Sequence, residues 1–223
     1  MNIQEFYQQL DQLFQAGQID QVEPFLLKQL TIVNQEHHWE GSLAILNELI
    51  GFYRSQKRYE EALRVSQQAL DLCRLNGITD SLSYATTLLN AATAYRFAGQ
   101  ADQALDYFRQ AENLYSQKIS LLDGRFASLY NNMSAVLADK GAYDKSAEYL
   151  LRAVAIMEAL PGEEIHAAIS HANLASLYAK LQNWHGAKEH IAAACALLQN
   201  RPEARAQYEE YCALQKLFEQ NPG

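Results

Sequence analysis

The chain has 223 residues, 49% of them hydrophobic, and a formal net charge of −8 at pH 7. Binding to nucleic acids or to anionic membranes needs a concentrated basic surface, so an acidic chain with scattered basic residues excludes both as primary functions. No segment approaches the roughly 20 apolar residues of a membrane span, and the N-terminus has neither the basic start nor the apolar run of a secretory signal. We therefore predict a cytoplasmic protein.

A small residue recurs at the same place in one helical pattern roughly every 41 residues. Mostly large residues stand three and nine positions before this anchor, and alanine stands seven positions after it in all copies but the first. A repeat of this size is one supersecondary unit that gains a core only by stacking on its neighbours, so the pattern predicts an array of helical hairpins. The five anchors are Val22, Ala62, Ala104, Ser146 and Ala187.

Each predicted unit is a helix, a short turn and a second helix. Five positions before the anchor stand Gly17, Gly99 and Gly141 in three units, and Lys57 and Gln182 in the other two. Glycine readily adopts the left-handed conformation that ends a helix, so this column marks the turn. In chain order, the predicted hairpins span about 3–38, 39–78, 80–121, 124–161 and 163–199.

The segment at about 201–219 is predicted to be a capping helix. Asn200 and Pro202 fit the start of a helix, because proline is tolerated in the first turn. Aromatic residues such as Tyr208 and Phe218 can cover the apolar edge of the fifth hairpin, while charged residues keep the outer face soluble, as the end of a repeat array requires. We predict one elongated domain over residues 1–223.

The third hairpin carries the clearest form of the motif. Tyr95 ends its first helix, Gly99 makes the turn, and the second helix carries Ala104, Phe108 and Ala111. This arrangement resembles the tetratricopeptide repeat, and the period of roughly 42 residues resembles the longer repeats of kinesin light chains and of peptide-sensing bacterial regulators. The resemblance implies an all-α fold, a right-handed α-α superhelix of five hairpins plus a C-terminal capping helix.

Asparagine recurs at one position of the first helix of the unit. Fourteen positions before the anchor, three consecutive units present Asn90, Asn132 and Asn173. Asparagine is a mediocre helix residue, because its amide competes for backbone hydrogen bonds, so three in register need a reason. The resemblance implies that this position faces a concave groove in which asparagines hold an extended peptide by its backbone amides. The predicted peptide-binding residues are Asn47, Arg54, Asn90, Arg96, Asn131, Asn132, Asn173 and Lys180.

Three of these residues are cations in an otherwise acidic protein. Arg54, Arg96 and Lys180 would favour an acidic peptide or a C-terminal carboxylate. The lysine, asparagine and arginine combination of the carboxylate clamp that binds chaperone tails is absent from the sequence, so such tails are not implied. Two alternatives stay open for the asparagines: they bridge adjacent helices inside the array, or they coincide by chance.

No catalytic or metal-binding motif is found in the sequence. It has no nucleophile motif and no glycine-rich phosphate loop. The histidine pairs nearest to a metal-ligand spacing are five residues apart, which places the two rings about 140° apart on a helix. The three cysteines lack C-x-x-C spacing and are interpreted as reduced core residues. We predict that the chain is not an enzyme and needs no cofactor or metal. The cysteines are Cys73, Cys195 and Cys212, and the histidine pairs are His166 with His171 and His185 with His190.

The predicted function is that of an adaptor or sensor that holds an extended protein or peptide segment in its concave groove. The alternative is a scaffold whose outer or terminal surfaces join another protein or a second copy of the chain, as in a homodimer. A peptide that co-purifies in the groove would favour the first function, and a concentration-dependent dimer would favour the second.

Overall fold

A computed structural model describes residues 2–221, and eleven α-helices and one short 3₁₀ turn form in this part of the chain. It contains no β-strand, which confirms the predicted all-α fold. No helix within it is long and apolar enough to cross a membrane. The helices are α1 (Ile3–Gln15), α2 (Ile19–Gln35), α3 (Trp39–Ser55), α4 (Tyr59–Leu75), α5 (Leu82–Phe97), α6 (Ala101–Lys118), α7 (Gly124–Asp139), α8 (Tyr143–Glu158), α9 (Glu164–Lys180), α10 (Trp184–Leu198) and, after the 3₁₀ turn at Pro202–Ala204, α11 (Arg205–Glu219).

The turn inside every hairpin has the same geometry. The residue five positions before the anchor has a positive φ in all five hairpins, from 58° at Lys57 and Gln182 to 77° at Gly99. The next residue donates its N–H to the carbonyl five positions back, as from Gln100 to Tyr95 at 2.9 Å, which is the Schellman helix end. The predicted turn column is therefore confirmed, even where a non-glycine residue occupies it.

The anchor column forms the centre of the packing between helices. All five anchors are buried, including Val22, the largest of them, and the alanines seven positions later are buried as well. Small side chains at these positions let neighbouring helices approach closely, while Phe108 and Tyr115 fill the space beside them without exposure to solvent. The alternating small and large columns of the sequence therefore build the core.

The chain divides into two compact units, Met1–Leu114 and Tyr115–Gly223, called here the N-terminal and C-terminal units. In the N-terminal unit, α3 packs against α4 and α5. In the C-terminal unit, α7 packs against α8 and α9, and α10 packs against α9 and α11. The organisation of residues 1–223 as one elongated domain stays a prediction.

The last helix packs on the fifth hairpin, as the sequence predicted for a capping helix. Phe218 of α11 is only 5% exposed, and its ring centre lies 6.1 Å from that of Trp184 on α10. The ammonium group of Lys188 donates a hydrogen bond of 2.8 Å to the carbonyl of Asn221. The apolar edge left by Ala194 and neighbouring α10 residues is therefore covered from within the chain.

Two histidines of the C-terminal unit face each other between α9 and α10. The Nδ1 atoms of His171 and His190 are 2.9 Å apart, and His171 Nε2 lies 3.1 Å from a carboxylate oxygen of Glu158. A contact of this length between two nitrogens requires one proton between them, so His190 and His171 cannot both be protonated at Nδ1. Burial and the neighbouring His171 lower the pKa of His190, whereas Glu189 and Glu158 act in the opposite direction.

This contact predicts that acid destabilises the fifth hairpin. Because the pKa of His190 is lower in the folded chain than in the unfolded chain, the unfolded chain takes up its proton first as the pH falls below about 6.5, and stability falls with it. We expect the melting temperature, followed by circular dichroism, to drop by a few degrees between about pH 7.5 and pH 5.5. His190→Gln should flatten this slope, and His185→Gln, an exposed change on the same helix, should leave it unaltered. An equal slope in all three proteins would contradict the assignment.

Candidate functional site

An amide bridge joins the first helices of the second and third hairpins. Asn90 on α5 donates from Nδ2 to Asn47 Oδ1 on α3 at 2.9 Å. Asn47 in turn donates from Nδ2 to the hydroxyl of Thr87 at 3.1 Å and to the carbonyl of Leu43 at 3.0 Å. Because Thr87 donates its own hydroxyl proton to the carbonyl of Ser83, its oxygen is free to accept. The bridge therefore satisfies both N–H groups of Asn47.

The same bridge recurs at equivalent repeat positions in the C-terminal unit. Asn173 on α9 donates from Nδ2 to Asn131 Oδ1 on α7 at 2.9 Å. Asn131 donates to the hydroxyl of Ser170 at 2.8 Å and to the carbonyl of Ala127 at 3.0 Å. Recurrence at the same register in two units makes the bridge a feature of the repeat. Helix bridging, one of the open alternatives for the asparagine column, therefore describes Asn90 and Asn173 together with their partners Asn47 and Asn131.

The other asparagines keep hydrogen-bonding capacity. Asn90 and Asn173 each use one N–H in a bridge, and within residues 2–221 the structure gives their Oδ1 atoms no partner. Asn132 donates at 2.8 Å to the carbonyl of Ser128 in its own helix. These three amides can therefore still bond to a ligand.

A phenol and a carboxylate occupy the same register between the first and second hairpins. The Tyr7 hydroxyl on α1 lies near the Glu48 carboxylate on α3. Burial is the main cause of a raised pKa in both groups, and the Glu48 carboxylate raises that of Tyr7 further. Between the first two hairpins, Tyr7 and Glu48 therefore occupy the repeat positions that Asn47 and Asn90 occupy between the next two.

A cationic and aromatic cluster lies at the C-terminal ends of α3 and α5. The ring of Phe97 is 46% exposed and stacks on Tyr59 with ring centres 6.2 Å apart. The guanidinium carbons of Arg54 and Arg96 lie 5.9 Å and 5.0 Å from the centre of the Phe97 ring. Both distances are within the range of a cation–π contact. We call these four residues the Phe97 cluster.

Arg54 has an unusual environment within this cluster. The residue is half-buried, and its guanidinium makes no hydrogen bond or ion pair with residues 2–221. Burial lowers the pKa of Arg54, although a guanidinium stays charged at neutral pH. A partly desolvated cation without a carboxylate beside it gains free energy when an anion binds. The cluster can therefore hold a carboxylate next to an aromatic surface.

Lys180 makes the corresponding contact in the C-terminal unit. Its ammonium nitrogen lies 5.0 Å from the centre of the Tyr143 ring. Lys180 and Tyr143 occupy the repeat positions of Phe97 and Tyr59, so the same two columns meet in both units. Sequence reasoning identified the cations and missed their aromatic partners. The signal for Tyr143 was its place three positions before the anchor. Phe97 stands seven positions before its anchor, in a column without a consistent residue type.

Comparison with known families identifies the repeats. Residues 41–117 match one sequence profile of the tetratricopeptide repeat, and residues 126–164 match a second. Together the two matches cover just over half of the chain. The chain belongs to the tetratricopeptide repeat family. Tetratricopeptide repeats generally mediate interactions between proteins, which gives the class of function.

Solved structures of tetratricopeptide proteins share this fold. BtubC (BKLC) from P. vanneervenii is 20% identical with a TM-score of 0.76, over 87% of this chain and 79% of that one. Two structures of nearly identical repeats from a Podosopora anserina protein assigned as a kinesin light chain, one of them a point variant, are 19% and 18% identical, with TM-scores of 0.69 and 0.71. Each alignment covers 92% of this chain and 96% of the other. No curated protein sequence matches the chain.

The structure brings together some of the predicted peptide-binding residues of the tetratricopeptide protein. Asn47 meets Asn90, Asn131 meets Asn173, and both arginines contact one ring. Between residues 2 and 221 no group of three or more histidine, cysteine, aspartate or glutamate side chains could hold a metal ion. The assignment of these residues to peptide binding stays a prediction, as does the lack of enzymatic activity.

The bridges predict unequal effects when single asparagines are replaced. Asn47→Ala removes an amide that joins α3 to two residues of α5, so we expect it to lower the free energy of unfolding by about 1 to 2 kcal/mol. Asn90→Ala removes one bond, and the better helix propensity of alanine offsets part of this loss, so its effect should stay below about 1 kcal/mol. Urea unfolding measures both values.

The matched control is Asn132→Ala. This amide bonds only within its own helix in the described part of the chain, and its removal should change stability by less than about 0.5 kcal/mol. Equal losses in the Asn47 and Asn132 variants would show that the bridge does not stabilise the packing of α3 against α5.

Proposed function

We propose that this tetratricopeptide protein is an adaptor or sensor that binds an extended, acidic segment of a partner protein along its inner helices. The observation that carries the proposal is the Phe97 cluster, in which the half-buried Arg54 has an aromatic ring and no carboxylate beside it. Such an arginine suits a bidentate carboxylate, supplied by an acidic side chain or by a free C-terminus.

The Phe97 cluster and the amide bridge of the N-terminal unit suit different parts of one ligand. Arg54 and Arg96 both lie within 6 Å of the same ring centre, so a carboxylate bound at Arg54 would lie near a second positive charge. Asn90 offers an acceptor and a donor, which fits the C=O and N–H of a peptide unit. In this proposal Asn47 holds Asn90 in position and does not contact the ligand.

The C-terminal unit supplies a second set of groups of the same kind. Lys180 is exposed beside Tyr143 and makes no ion pair with the described residues, and Asn132 and Asn173 keep free acceptors. An acidic peptide would gain a charge contact and backbone hydrogen bonds there. Because the chain carries a net charge of −8, attraction of an acidic ligand depends on these local cations and not on the field of the whole protein.

A selection from a random library of linear peptides tests this proposal. We expect peptides enriched by the full chain to contain more aspartate and glutamate than the starting library. Comparing free with amidated C-termini separates recognition of a terminal carboxylate from recognition of acidic side chains.

Enrichment without a charge preference, or no enrichment at all, would contradict the proposal. A concentration-dependent dimer measured by sedimentation in that case would favour the alternative of a scaffold that joins copies of itself through its outer or terminal surfaces.

A further inference from the structure

Two thiols meet where the capping helix crosses the fifth hairpin. Cys195 on α10 is buried, Cys212 on α11 is half-buried, and their sulfur atoms are 3.7 Å apart. The Tyr208 hydroxyl lies near the Cys212 thiol, which raises the pKa of Tyr208. The third cysteine, Cys73, is buried in α4 of the N-terminal unit. The chain therefore contains one thiol pair at a contact between two helices and one isolated thiol that serves as an internal reference.

The capping helix depends on contacts across this junction. Phe218 packs against Trp184, and one hydrogen bond runs from Lys188 to the last described residue, Asn221. A helix held mainly by a few apolar side chains opens more easily than one with many buried contacts. A covalent link between Cys195 and Cys212 would change this, because it joins the two helices at their contact.

We propose that Cys195 and Cys212 are a redox-sensitive pair, and that peroxide converts them into a disulfide that ties the capping helix to the fifth hairpin. The sulfur atoms must approach from 3.7 Å to about 2.05 Å, which side-chain rotation and a small shift of α11 can supply. Cys73 takes no part, because it is fully buried in α4.

The accessibility of the two thiols sets the order of the steps. Burial raises the pKa of Cys195 to about 12, with a further contribution from Cys212, so Cys195 is a poor first nucleophile. Cys212 is the more accessible sulfur and reacts first. Its sulfur bonds to one oxygen of hydrogen peroxide, the O–O bond breaks, and the departing hydroxide takes the thiol proton to form water, leaving a sulfenic acid on Cys212.

Cys195 then resolves the sulfenic acid. Its sulfur gives up its proton and attacks the Cys212 sulfur, the S–S bond forms, the S–O bond breaks, and the departing hydroxide takes that proton to form a second water. Two thiols lose two electrons in total, and one peroxide is reduced to two waters. A small dithiol reverses the reaction by thiol–disulfide exchange.

The experiment uses the full chain with Cys73→Ser, which keeps only the pair, and treats it with about one equivalent of hydrogen peroxide. We expect an intact mass lower by two hydrogens, a proteolytic peptide that links Cys195 to Cys212, and a melting temperature higher by roughly 5 to 10 °C. Dithiothreitol should reverse all three changes. Cys212→Ser in the same background should give none of them.

Several outcomes would overturn the proposal. They are sulfinic acid on Cys212 without the linked peptide, a bond formed only between two chains, and an intramolecular link that leaves the melting temperature unchanged. The wild-type chain, mapped in the same way, decides the question if the Cys73 variant folds poorly, because peptide mapping separates the three cysteines. Melting of each reduced variant shows whether the substitution alone alters the fold.

Discussion

A chain truncated after Asn200 should melt about 10 °C or more below the full chain and should associate. Truncation removes Phe218, whose loss alone is comparable to a buried Phe→Ala change of about 3 to 5 kcal/mol. It also uncovers the α10 edge that includes Ala194 and Leu198. Exposed apolar surface at the end of a repeat array promotes association. Thermal melting and sedimentation measure the two effects.

Point variants distinguish the loss of the apolar side chain that covers α10 from the shortening of the chain. Phe218→Ala should reproduce most of the loss in melting temperature, whereas Leu217→Ala, at a neighbouring residue that is 55% exposed, should change it little. A truncated chain that stays monomeric and melts with the full chain would show that α11 is a passive tail.

Reversal of the charge at Arg54 should have the largest effect on binding. Arg54→Glu replaces a charge-assisted contact by repulsion, so we expect the affinity for an acidic peptide enriched from the library to fall by about 30-fold or more. Wild-type affinity should also fall with added salt, as screening weakens the attraction. The fold should persist, because within residues 2–221 Arg54 contributes only a cation–π contact of about 1 kcal/mol.

Arg109→Glu is the matched control for this change. Arg109 is exposed on α6 in the same unit, and among the described residues it pairs only with Asp106 at 3.5 Å. The substitution alters the net charge by the same amount, so it should leave the affinity within about twofold. Equal losses in both variants would mean that the net charge of the protein, and not the Phe97 cluster, governs binding.

The repeat could be predicted from the sequence because its signals are local. The anchor column and the glycine turns each depend on residues a few positions apart, and the structure confirms them. The predicted start of the capping helix at Asn200 and Pro202 is wrong, because a 3₁₀ turn occupies Pro202–Ala204 and α11 begins at Arg205. The turn at Lys57 was predicted from its place in the column, although a lysine there does not itself signal a positive φ. Fold prediction from this chain therefore required only the period and the side-chain sizes.

The contacts of the candidate site could not be predicted because they join separate repeats. Register placed Asn90 on the inner face, but its bond to Asn47 depends on how α5 packs against α3. The role of Phe97 depends on the same packing, because its ring contacts two arginines that are 42 residues apart in the chain. Sequence spacing gives the positions on each helix and leaves the pairing between helices open.

Two further pairings also escaped the sequence. His171 meets His190, although the sequence compared only histidines five residues apart. The interpretation of the cysteines as buried core residues holds for Cys73 and Cys195, whereas Cys212 is half-buried and lies against Cys195. Its place depends on the turn at Pro202–Ala204, which sets the direction of α11.

A charge exchange between protein and peptide tests the peptide-groove proposal most directly. The affinities compared are those of the wild-type chain and of Arg54→Glu, each for an enriched acidic peptide and for the same peptide with lysine in place of its acidic residues. We predict that the wild-type chain binds the acidic peptide more tightly than the lysine peptide. Arg54→Glu should shift the ratio of these two affinities towards the lysine peptide by at least about tenfold. If Arg54→Glu lowers the affinity for both peptides equally, or changes the affinity for neither, the proposal that a carboxylate binds beside Arg54 is contradicted.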